Sequence, residues 1–145
     1  RAAVERPSPL ARAFTREYFQ SMVDDAPVSV TAKALLATEQ RIPGLGNGVL
    51  QDILFRARVH PRQKVHELTR GELDETYESV RATLREMTDR GGRDTEDGLL
   101  GEPGGYSTLM ARTTVGTPCP VCGAILEKAS YLGGSVYYCP VCQPL

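Results

Sequence analysis

Apolar residues recur along most of this chain at helical spacing. Leu10, Phe14, Tyr18 and Met22 step by four and share one stripe of a helix. Ser8-Pro9 precedes that stripe as an N-cap with proline at the first helical position, and Pro27 ends it. Thr31 to Glu39 reads as a second helix, with Ala32, Ala34, Leu35, Leu36 and Ala37 as good formers. A third carries Val49, Leu50, Ile53, Leu54 and Ala57 on one face. It stops near His60-Pro61, because the residue before proline avoids the helical region. Thr69-Arg70-Gly71-Glu72 fits a capping box, and Leu73, Tyr77, Val80, Leu84 and Met87 then mark a fourth helix closed by Gly91-Gly92. Residues 92–117 read as an irregular, glycine-rich loop.

The pattern changes at the C-terminal end. Residues 124–131 can form a strand, Gly133-Gly134 is a hairpin signal, and Ser135-Val136-Tyr137-Tyr138 can return as a second strand. The fold class is therefore mostly α, followed by a small β-hairpin.

Composition adds bounds. At 145 residues, 41% apolar and 24% charged, the chain has room for one ordinary domain or a modest domain plus a small module. No apolar run approaches the ~20 residues of a membrane-spanning helix. The start, Arg1-Ala2-Ala3-Val4-Glu5-Arg6, lacks the apolar stretch of a secretory signal, so a cytoplasmic setting without a membrane partner is expected. Beginning at Arg1 rather than Met, the chain reads as a processed product or part of something longer. The net charge of -1 argues against a simple polycation, but it hides an uneven spread. Residues 41–70 hold Arg41, Arg56, Arg58, Arg62, Lys64 and Arg70 against Asp52 and Glu67, a net +4, whereas residues 71–102 carry a net -6. A basic stretch inside a neutral chain is either a polyanion-binding face or a solvated helix face.

The strongest chemistry is the cysteine pattern. Cys119-Pro-Val-Cys122 and Cys139-Pro-Val-Cys142 are separated by sixteen residues, within the spacing of a four-thiolate zinc site. Each short loop lets two sulfurs point at one tetrahedral ion, so a single structural zinc at the base of the hairpin is expected. Disulfides would need an oxidising compartment, and a redox dithiol would need only one such pair. Four thiolates leave no open position for catalysis. A second candidate is the turn Pro43-Gly44-Leu45-Gly46-Asn47-Gly48 between helices two and three. Free backbone N–H groups at a helix start can hold an anion, with Asn47 adding an amide donor. The same residues also suit a tight helix–helix turn in which Asn47 merely caps the next helix.

Taken in order, these motifs resemble one family. Leu45-Gly46-Asn47-Gly48, His60-Pro61, Gly91-Gly92-Arg93-Asp94-Thr95, Pro103-Gly104-Gly105-Tyr106 and the finger ending Tyr138-Cys139-Pro140-Val141-Cys142-Gln143 are similar to the C-terminal half of the formamidopyrimidine-DNA glycosylase/endonuclease VIII family. The resemblance implies a helix–two-turn–helix domain followed by a zinc finger. It divides the chain into residues 1–28, a helix and linker from a missing N-terminal domain, residues 29–112, the DNA-binding domain, and residues 113–145, the finger. It implies that Asn47 and Lys33, fourteen residues apart, bind backbone phosphates. It also implies DNA contacts at Gly46 and Arg93, and a role for the 91–106 loop over an everted base.

The implied function is the DNA-binding part of a base-excision glycosylase and abasic-site lyase. It would act as a monomer on damaged or abasic duplex DNA, associated with the nucleoid. Two positions depart from the family. Its nucleophile is an N-terminal proline beside a glutamate, whereas Pro7 and Pro9 here are internal imides, so this chain alone is expected to be inactive. Many members carry an arginine five residues before the third cysteine, where this chain has Gly134. A free-standing zinc-containing nucleic-acid adaptor without catalysis, or a purely structural zinc domain, would use the same scaffold.

Overall fold

The computed structural model describes residues 7–37, 42, 45, 47–91 and 105–145. Among these, the helices are α1 (Arg16–Asp25), α2 (Ala32–Ala37), α3 (Asn47–Ala57) and α4 (Arg70–Asp89), with a short 3-10 turn at Val65–Glu67. The hairpin strands β1 (Glu127–Tyr131) and β2 (Gly134–Tyr138) follow. The expected order of elements is therefore present.

The first helix starts later than Ser8-Pro9 suggests. Ser8 closes a turn, its carbonyl accepting from Ala11 N, and Thr15 caps α1 by accepting from Tyr18 N at 3.0 Å. The cause is long-range. Phe14 leaves the helical path to stack on Tyr77 of α4, with ring centroids 5.6 Å apart, and its carbonyl accepts the Tyr77 hydroxyl at 2.8 Å. Leu10, the expected start of the stripe, is exposed, while Phe19 and Val23 are buried in place of Tyr18 and Met22. At the other end, Ala26 is extended, as the residue before Pro27 must be.

The capping box at Thr69–Glu72 forms reciprocally, as read. α3 ends in a paired turn, with Arg58 N donating to Phe55 O and Val59 N to Leu54 O. Here Arg58 takes φ 61, a left-handed position that glycine usually fills. One core joins all four helices: Phe14, Phe19 and Val23 of the α1 region pack with Leu35 and Leu36, with Leu50, Ile53 and Leu54, and with Leu73, Tyr77 and Val80.

α3 lies at the centre, and it is buried on more than its apolar face. Residues 51–55 are all buried, Gln51 and Asp52 included. Periodicity alone would leave both polar side chains in water. Instead Asp52 gathers the chain that follows α4: it accepts the Tyr106 hydroxyl at 2.8 Å, Leu109 N at 2.9 Å and Met110 N at 2.8 Å. Next to it, Gln51 donates to Ser135 O and accepts from Tyr137 N, both at 3.0 Å, so its amide fills an open edge of β2. Phe55 of α3 completes a second, smaller core with Met110, Cys119, Leu126 and Cys139.

Two details of the finger differ from the pattern. β1 begins at Glu127 rather than Ala124. Residues before it pair instead with the strand-like stretch leading into the first cysteine, through Leu126 N to Thr117 O and a bridge between Pro118 and Ile125. The hairpin turn is Leu132-Gly133, with φ 51 and 78, and Gly134 pairs with Tyr131 inside the ladder. Two successive positive φ values match the right-handed strand twist.

Removing the Asp52 carboxylate strands at least three buried donors, each costing about 1–3 kcal/mol. Asp52→Ala is therefore expected to destabilise the chain by about 3–5 kcal/mol in urea unfolding, and Asp52→Asn by less, because the amide keeps one acceptor oxygen.

Candidate metal centre and nucleic-acid interface

The four cysteine sulfurs lie within 4.8 Å of one another. An ion ~2.3 Å from each sulfur of a tetrahedron sets the sulfurs about 3.8 Å apart. The observed separations of 3.9 Å for Cys119–Cys142 and 3.4 Å for Cys122–Cys139 bracket that value and are far too long for disulfides. Backbone amides point at the sulfurs: Val121 N at Cys119, Ala124 N at Cys122 and Cys142 N at Cys139, at 3.3–3.5 Å. These donors favour thiolate. Burial opposes ionisation of Cys119, but the amides of Cys122 and Val121 and the adjoining thiols outweigh it and bring this thiol down to about 7. Burial and the crowding of the other sulfurs push Cys142 up to about 12. A divalent cation would offset the repulsion among four thiolates gathered so closely. The donor set fits one structural zinc, held by Cys119, Cys122, Cys139 and Cys142.

The site is tied to the helical domain from beneath. Gln143, fully buried, accepts Cys139 N at 2.8 Å and donates to Val59 O at 2.9 Å, linking the second knuckle to the end of α3. His60 packs its ring against Tyr138, with centroids 4.6 Å apart, and its Nδ1 accepts Arg62 N. Burial, then the Arg62 charge, lowers the His60 pKa, so the ring is neutral in this contact. His60 thus has a structural place beside the finger and no role as a ligand.

The expected DNA contacts fall in different places. Lys33 is on α2 and only 3% exposed, and its Nζ donates to Tyr131 O at 2.5 Å. Burial lowers its pKa. Among the described residues no carboxylate pairs with it. Asn47 is the first residue of α3, which places it at the helix N-terminus, while its side chain lies outside the described residues. Gly46 and Arg93 also lie outside them. Gln51 and Asp52, which fix the finger and the loop before it, gave no sequence signal. Each is a polar residue in a helix, and the partners are 54–86 positions away.

Because metal binding and folding of so small a module are linked, stripping the metal with a strong chelator at neutral pH should unfold the finger. The expected signature is loss of the β1–β2 amide protection together with release of one zinc per chain, while the four-helix core stays protected in hydrogen exchange. An intact hairpin in metal-free protein would contradict the assignment.

Residues 6–97 match the formamidopyrimidine-DNA glycosylase H2TH domain, and residues 116–145 match the zinc finger found in FPG and IleRS. The formamidopyrimidine-DNA glycosylase of Bacillus cereus is 33% identical over 141 residues, covering 95% of this chain and 50% of that protein. That of Thermus thermophilus is 34% identical over 143 residues, covering 94% and 52%. The chain spans about half the length of the curated relatives it matches. Among solved structures, the MutM (Fpg) protein of Thermus thermophilus aligns with a TM-score of 0.84 at 30% identity, over 95% of this chain and 53% of that one. Lactococcus lactis Fpg in complex with abasic-site DNA shares the fold, with a TM-score of 0.83 at 23% identity over 97% of this chain and 51% of that one. Since the helical match alone takes in residues 6–97, well over half the sequence, this chain belongs to the formamidopyrimidine-DNA glycosylase family.

Proposed function

We propose that this chain is the DNA-binding portion of a base-excision DNA glycosylase and abasic-site lyase, gripping damaged duplex DNA through its backbone and carrying no catalytic residue of its own. The observation that carries the reading is the likeness to the Thermus thermophilus MutM (Fpg) structure, which extends over 95% of this chain. It takes in the helical domain and the finger together, in the same relative placement. Chemistry on a base requires turning it out of the stack, and the energy for that must come from contacts to the flanking backbone. The arrangement here suits such a task. α3 begins at Asn47, and the first turn of a helix, whose N–H groups have no partner within the helix, favours an anion. Lys33 donates to Tyr131 O, and among the described residues no carboxylate neutralises it, so its charge adds to the attraction for a phosphate. The zinc holds the hairpin in shape and takes no part in the reaction. The chain would act as a single copy on DNA at the nucleoid. Among the described residues no helix is long and apolar enough to cross a membrane.

The reading is tested by fluorescence anisotropy with short duplexes, one intact and one carrying an abasic-site analogue. Tighter binding to the abasic duplex is expected, with affinity falling as salt rises. Asn47→Ala and Lys33→Ala should each weaken binding, by about 1–3 kcal/mol for loss of a hydrogen bond to a charged group. Equal affinity for both duplexes would favour an adaptor without lesion preference. No effect of either substitution at low salt would remove the phosphate assignments.

A further inference from the structure

Outside its metal site the finger has almost no charge of its own. Between residues 113 and 145 the charged side chains are Glu127 and Lys128, and from Ala129 to Tyr138, across the whole apex of the hairpin, there are none. A nucleic-acid backbone approaching this apex would need positive charge supplied from another part of the fold.

The helical domain supplies it. The segment after α3 runs beside the start of α2, with Lys33 N donating to Pro61 O, Ala32 N to Gln63 O, and a bridge between Thr31 and Lys64. This short ladder brings Arg62 and Lys33 to the same residue of the hairpin. Lys33 Nζ holds the Tyr131 carbonyl, Arg62 Nη2 donates to the neighbouring Ser130 carbonyl at 3.1 Å, and the Arg62 guanidinium lies 4.9 Å from the centroid of the Tyr131 ring. The ring is fixed in turn, because its hydroxyl donates to Thr31 Oγ1 at 3.0 Å. The residue paired with Tyr131 is Gly134, which has no side chain to place beside it.

The two cations differ in one respect that decides their use. Lys33 is buried, whereas Arg62 is exposed, and among the described residues no carboxylate lies within ion-pairing distance of it. An arginine held against an aromatic face has lost much of its rotamer freedom in advance, and Ser130 uses one of its five N–H donors. The remaining planar fork matches two oxygens of a phosphate.

We infer that Arg62 is a phosphate-binding residue for the finger apex. Its guanidinium, stacked on Tyr131 and anchored by Ser130, receives a backbone phosphate of the DNA, and the helical domain thereby supplies positive charge to an apex that has none. The inference rests on the DNA-binding reading above. Tyr131 is the positioning residue, and Lys33 strengthens the local potential from beneath.

The test compares the parent chain, Arg62→Gln and Arg62→Lys on an abasic-analogue duplex across a salt series, with zinc content and thermal midpoint measured alongside. Glutamine keeps a donor for Ser130 and loses the charge; lysine keeps the charge. One phosphate contact contributes ~0.9 to the slope of log affinity against log salt, equal to about threefold in affinity between ~50 and ~200 mM. Arg62→Gln is expected to lose that increment and Arg62→Lys to retain it. Coincident slopes in all three proteins would overturn the inference, leaving Arg62 a strut between finger and helices. So would slopes that follow the thermal midpoint rather than the charge at position 62. A parent chain that shows no salt-dependent binding would instead remove the DNA-binding reading, a result distinct from normal parent binding with an unchanged slope.

Discussion

Two adjacent polar side chains on α3 hold this molecule together. Gln51 fills the edge of β2, and Asp52 collects the backbone and the tyrosine that lead into the finger. Both are fully desolvated, a costly placement for an amide and a carboxylate unless their hydrogen bonds are made. Their value is therefore specificity as much as stability. A finger that slid along α3 by one residue would leave these groups and their partners unpaired in a low-dielectric interior, so only one docking is tolerated. Gln143 and His60 repeat the arrangement at the other end of the finger, through Val59 O and the Tyr138 ring.

That rigidity places the candidate binding groups. Lys33 comes from α2, Arg62 from the segment after α3, Asn47 from the start of α3, and Tyr131 from the hairpin. None has meaning for a ligand unless the finger stays fixed on the helices. The small core shared by the two modules uses Cys119 and Cys139 among its five buried members, so the metal ligands are also part of the packing. A hairpin of two five-residue strands buries too little to fold by itself, and the metal makes up the difference. Metal, packing and docking are thus one cooperative unit.

Charge is distributed to match. Acidic side chains concentrate on α4, where Asp74 pairs with Arg16 and Glu86 with both Arg56 and Arg90. Glu72, Asp74, Glu75 and Glu78 remain exposed there. Among the described residues Arg58, Arg62 and Lys64, between α3 and α4, have no such ion pair.

Much of this was legible in the residue order, for physical reasons that are local. Two Cys-x-x-Cys knuckles sixteen residues apart define a metal site because ligand geometry is set within each short loop. The Thr69–Glu72 box and the break at Pro27 depend on neighbours a few positions away and formed as read, while α3 stops at Ala57, ahead of His60-Pro61, in the turn at Arg58. The readings that shifted depend on distant partners. α1 starts at Arg16 because Phe14 is drawn to Tyr77, sixty-three residues on. Gln51 and Asp52 look like a solvated helix face, since a polar side chain does not reveal in sequence whether its partner is water or a strand some eighty residues on. By itself the sequence determined the helices, the metal and the family. Only the tertiary structure decided that the finger is clamped to α3 and that its apex shares its cations with the helical domain, because both depend on groups brought together by folding alone.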